Sequence, residues 1–69
     1  MDNIDERVVL RAALLCIPEP QRAVLVLRFC ADLPVHEVAE ILGRPVGTVK
    51  SQTSRGLANL RATLAGRPR

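Results

Sequence analysis

The chain contains no tryptophan and no tyrosine, and Phe29 is its one aromatic residue. Domains that read single-stranded nucleic acid stack bases on aromatic platforms, so a reader of that type is excluded. Cysteine is nearly as scarce: Cys16 and Cys30 lie in apolar runs, where they are expected to act as small buried or interface hydrophobes. Together with the lone His36 they match no recognised zinc spacing, so no metal and no cofactor is expected. No carboxylate pair, glycine-rich phosphate loop or nucleophile-base arrangement is present, which leaves no catalytic residues, no small-molecule substrate and no enzyme. Apolar runs stay well short of the ~18 residues of a membrane span. The first residues are acidic, unlike the basic start of a secretory signal, so a cytoplasmic location away from membranes is expected. Acid is missing from the other end, where the charged side chains from Gly43 onward are Arg44, Lys50, Arg55, Arg61, Arg67 and Arg69.

What is present suits one small helical unit. At 69 residues the chain is expected to form a single domain over 1–69, with a core near the lower limit for independent folding. Ten Lys and Arg against seven Asp and Glu give a net charge of +3, a modest excess suited to a polyanionic partner. Apolar residues at spacings of three and four (Ile4, Val8, Val9, Ala12, Leu15, Cys16) predict a first helix over 3–16 with a broad apolar face. Asp2 or Asn3 is expected to cap it, with Asp5 and Glu6 in the first turn. Pro18 and Pro20 end it, and Pro20 suits the start of a second helix over 20–31. That helix is apolar on most sides, which fits a central position or a shared surface. A strand over 23–27 is the competing reading, and it has no hairpin partner of similar pattern.

A third, short helix is expected over 35–42, with Val38, Ala39, Ile41 and Leu42 inward and His36, Glu37 and Glu40 outward. Gly43 follows as a left-handed terminating residue, and Pro45 blocks continuation while permitting a new start. The fourth helix, over 46–64, has an inward stripe of Val49, Thr53, Gly56, Leu57, Leu60 and Leu64. At about 100° per residue, its opposite side carries Gly47, Lys50, Ser51, Ser54, Arg55 and Ala58. The fold class is therefore all-α, a small four-helix helix-turn-helix domain without a wing.

The major groove accepts one helix, and base edges are read by polar side chains from its first turns. Lys50 and Arg55 suit guanine acceptors or phosphates, Ser51 and Thr48 suit bases or phosphates, and Gln52 can address adenine from the flank. Unpaired N–H groups at the start of the third helix can hold a phosphate. A solvated face also carries polar residues opposite an apolar stripe. The glycine turn, the short preceding helix and the absence of acid after Glu40 together favour a DNA-binding face.

These stretches resemble a known family. Leu27-Arg28-Phe29, the run from Asp32 to Gly43, and Val46-Gly47-Thr48-Val49-Lys50-Ser51 through Leu57 are similar to region 4 of sigma-70-type factors, in the extracytoplasmic-function group and the actinobacterial style. The resemblance covers about residues 17–61. It implies sequence-specific binding of double-stranded promoter DNA at the minus-35 element, with the RNA polymerase core engaged through its β-flap and an anti-sigma factor as a further partner. By family position Lys50, Ser51, Ser54 and Arg55 would read the groove, and Arg28 and Thr48 would contact phosphates. Two departures stand out: Pro34 replaces a capping side chain worth ~1 kcal/mol, and Thr53 and Gly56 are expected to weaken the packing beneath the fourth helix. The part of such factors that melts promoters is not among the resembling residues, so the domain is expected to work within a larger assembly. Two other readings remain open at this level. One is a LuxR-like helix-turn-helix effector domain; the other is a protein-interaction module whose basic face is incidental.

Overall fold

The computed structural model describes residues 5–66, and all regular structure within them is helical. Helix α1 spans Glu6–Leu15, α2 Glu19–Leu25, α3 Val35–Leu42 and α4 Val46–Leu64; α2 runs on into a π-helical turn over Val26–Cys30. The last two helices start and stop at the residues expected from the sequence.

The first helix begins later than its periodicity suggests. Asp5 is its cap, with Oδ1 accepting from the Arg7 backbone N–H at 2.9 Å, and Oδ2 meets the Arg7 guanidinium at 3.3 Å. An aspartate with extended backbone at this position satisfies an N–H that the helix cannot. The alternatives Asp2 and Asn3 lie outside the described residues. Asp5→Ala is expected to lower stability by ~1 kcal/mol through loss of the cap, since the exposed ion pair to Arg7 contributes little. Chemical denaturation of the two proteins side by side measures the difference.

The second helix departs from the expectation of one continuous element. At Val26 the hydrogen bonding widens: the Ala31 N–H reaches the Val26 carbonyl at 3.0 Å, five residues back, and the Leu33 N–H closes on Leu27 at 3.1 Å. The chain leaves through Asp32 at φ 59, a left-handed conformation that aspartate tolerates better than most side chains. Arg28 secures this exit by donating from Nη1 to the Leu33 carbonyl at 2.9 Å. A period of 3.6 does not anticipate one extra residue in the last turn.

At the other turn the chemistry is as the sequence predicts. Gly43 sits at φ 65, its N–H bonding to the Glu40 carbonyl at 3.3 Å and the Arg44 N–H to Ala39 at 3.0 Å. This glycine-terminated geometry satisfies carbonyls that the end of α3 would otherwise leave open. Pro45 then stands in extended conformation just before α4.

The core is small and built from short side chains. Val24 of α2, Val38 and Ala39 of α3, and Val49 of α4 form its centre, with Leu27, Leu33, Val35 and Leu42 packed around them. Ala13, Ile17 and Leu25 are also buried. Helix α4 packs most extensively on α2, and the two approach closely at Gly56. A Cβ on Gly56 would lie 3.1 Å from Leu25 Cδ1 and 3.2 Å from Gln21 Cβ. The glycine expected to weaken packing is thus the residue that permits it. Thr53 returns its hydroxyl to the Val49 carbonyl at 2.7 Å, and Asn59 donates to Gln21 Oε1 at 2.6 Å across the same α2–α4 seam.

Several apolar residues lie outside this core, against the periodicity. Ile41, expected inward, is 60% exposed, because Val38 and Ala39 already fill the short inner face of α3. Leu64, at the last residue of α4, is 50% exposed and Phe29 on the π-turn 53%. The one buried residue of α1 is Ala13, which is not in the expected stripe; Val8, Val9, Leu10 and Leu15 face out. Cys16 and Cys30 are exposed free thiols, so of the two places expected for them, buried or at an interface, the buried one does not hold.

Candidate nucleic-acid interface

Helix α4 is a single uninterrupted helix whose inner side is fixed by Val49 and Gly56, both buried. That anchoring decides which side chains face away from the protein. Thr48, Lys50, Ser51, Ser54 and Arg55 are all exposed, as are Gly47 and Ala58 between them. At 100° per residue, Lys50, Ser51, Ser54 and Arg55 converge on one face centred opposite Val49, with Thr48 at its edge. None of the five is engaged in a side-chain hydrogen bond among the described residues, so their donors are directed to solvent. The one ion pair among the described residues joins Arg7 and Asp5, which leaves the charge of Lys50 and Arg55 uncompensated by any contact. Two cations and three hydroxyls on the first turns of an exposed helix can address phosphates and the acceptor-rich edge of guanine.

The other two residues singled out in the sequence sit differently. Gln52 is half-buried on the flank of α4, where its Oε1 accepts from Arg44 Nη1 at 2.8 Å. Arg28 lies on another element, the π-turn, with its guanidinium bonded to Leu33 and placed 5.0 Å from the Phe29 ring centroid. Its Nε is buried without a partner. Arg28 therefore performs a structural task at the exit of the second helix.

Arg44 is the residue that sequence reasoning passed over. From the turn it donates through Nη1 both to Gln52 and to the Pro20 carbonyl at 3.1 Å, tying the start of α4 to the start of α2. Its place between Gly43 and Pro45 marks it as a turn residue, and nothing in local spacing signals a partner 24 residues away.

The start of α3 carries no side-chain cap at Pro34, and the first backbone bonds there come from Glu37 and Val38 to the Pro34 carbonyl. His36 is solvent-facing, as expected. Among the described residues no three His, Cys, Asp or Glu side chains cluster to hold a metal ion, and no helix is long and apolar enough to cross a membrane.

Known proteins share this pattern. The chain is 43% identical over 51 residues to the ECF RNA polymerase sigma factor SigW of Bacillus subtilis, covering 74% of this chain and 27% of that protein. It is 40% identical over 62 residues to the RNA polymerase sigma-E factor of Streptomyces coelicolor, covering 90% and 35%. With the RNA polymerase sigma factor SigF of Mycobacterium tuberculosis the figures are 39% over 64 residues, 93% and 24%. The chain thus spans about a quarter to a third of the length of these relatives. Residues 7–60, most of the chain, match the family model described as Sigma-70, region 4. That region, a non-enzymatic domain family, binds the minus-35 promoter element in transcription initiation. With its four helices, its glycine turn and its cationic outer face in place, the chain belongs to the sigma-70 region 4 family.

Proposed function

We propose that this domain places α4 in the major groove of a minus-35 promoter element, as the upstream-reading part of a longer sigma factor bound to RNA polymerase core. The observation that carries the reading is the outward face of α4, where Lys50, Ser51, Ser54 and Arg55 stand exposed on a segment without acid from Gly43 onward. These four side chains read base edges, and Thr48 binds backbone phosphate at the edge of the groove. Gln52 supports them from the flank. Arg28, on the π-turn, retains Nη2 for a phosphate approaching from that side.

Few contacts are available to so small a face, and the cost of association consumes much of what they provide. Tethering to polymerase raises the local concentration of the domain at the promoter and offsets that weakness. The exposed apolar side chains of α1, the π-turn and the end of α4 supply a surface for protein partners. The polymerase β-flap and an anti-sigma factor are the partners we assign to it, in the cytoplasm where transcription occurs.

Site selection from a randomised duplex library, followed by titration of the selected and scrambled duplexes at one salt concentration, tests the reading. A clear preference for the selected element supports it. Equal affinity for both, together with no binding to polymerase core or its flap, would overturn it.

A further inference from the structure

The guanidinium of Arg44 is used on one side only. Nη1 carries two hydrogens, and the two acceptors it meets, Pro20 O and Gln52 Oε1, account for both. Since arginine only donates, the Gln52 atom facing it must be the oxygen. The other edge, Nε and Nη2, holds three further donors with no partner among the described residues. Neither is a buried orphan, which leaves that edge open to solvent on a half-buried side chain. Both of its anchors are neutral, and it has no carboxylate partner among the described residues, so its full charge persists.

The position of this charge matters. Arg44 lies in the turn just before α4, and its partner Gln52 falls four residues after Thr48, so the two share one edge of the helix. That edge borders the outward face. A planar fork of donors, immobilised by two internal hydrogen bonds, matches two oxygens of a phosphodiester and loses little freedom on binding one.

We propose that Arg44 is a phosphate-gripping residue of this interface, anchored through Nη1 and presenting its Nε–Nη2 edge to the DNA backbone beside α4. The proposal rests on the promoter-binding reading above. It makes Arg44 a contributor to affinity and docking angle that carries no base preference of its own.

Salt titrations of the whole 69-residue chain on a random-sequence duplex and on the selected duplex test it. In Arg44→Ala and in Arg44→Gln, the slope of log K against log salt is expected to shrink by about 0.9. Affinity at fixed salt is expected to fall on the order of tenfold, equally on both duplexes. Circular dichroism of each variant reports the helix content against which these values are read. Unchanged slopes in both Arg44 variants, or a loss confined to the selected duplex, would overturn the proposal while leaving the promoter reading intact. A wild-type chain that binds neither duplex, and neither polymerase core nor its flap, would end both.

Discussion

Gly56→Leu is expected to lower the stability of the domain by about 2–3 kcal/mol, the upper part of the usual range for overfilling a packed contact. For a domain of this size that corresponds to a drop in Tm of roughly 10–20 °C. The cause is local. Even a Cβ at position 56 would stand 3.1–3.2 Å from Leu25 and Gln21, and a branched side chain must push α4 off α2 along the seam that Asn59 and Gln21 close by hydrogen bonding. Gly56→Ala separates the two opposing effects. It gains about 1 kcal/mol of helix propensity against a contact that Leu25 must relieve by a few tenths of an ångström, so its Tm is expected near that of the wild type. Thermal denaturation followed by circular dichroism distinguishes the variants. A Gly56→Leu protein as stable as wild type would show that the two helices are not held at this separation.

The double change Lys50→Ala with Arg55→Ala is expected to reduce affinity for a selected promoter duplex by about a hundredfold or more, since each good pairing of a side chain with a base edge is worth ~1–3 kcal/mol. Both side chains are exposed and make no contact that the fold needs, so folding stability should stay within about 0.5 kcal/mol of the wild type. This pairing of a large binding loss with an unchanged fold is what distinguishes a reading face from a solvated one. Fluorescence anisotropy on selected and scrambled duplexes measures the first, and thermal melting the second. If the double variant still prefers the selected duplex as strongly as wild type does, α4 does not read bases with these residues, and the protein-interaction reading gains ground.

The second half of the chain was largely legible in its sequence because its signals are local. Gly43 needs a left-handed backbone, Pro45 cannot extend the helix before it, and the stripe from Val49 to Gly56 fixes which side of α4 turns inward. The first half was less legible. Its many apolar residues satisfy the helical period in more ways than a small core can accommodate, so Val8, Val9 and Leu15 stay on the outside and both cysteines with them. The π-turn depends on Arg28 meeting the Leu33 carbonyl, a choice that no hydrophobic pattern encodes. Arg44 escaped notice for a related reason, since its partners come from two helices. The family match also decides between the two helix-turn-helix readings, in favour of sigma region 4 over a LuxR-like effector.

The three fully buried large side chains are all valines, one each from α2, α3 and α4. In a helix, valine already occupies a single χ1 rotamer about 90% of the time, so it arrives at the junction with almost no torsional freedom left to surrender. Leucine or methionine in the same places would each give up on the order of 0.5–2 kcal/mol of rotamer entropy and retain alternative ways to fill the space. The junction of the two helix-turn-helix elements is therefore a joint without play. Its crossing angle is set by atoms that have no other position to take, and a rigid angle there lets a small face meet the groove in one orientation.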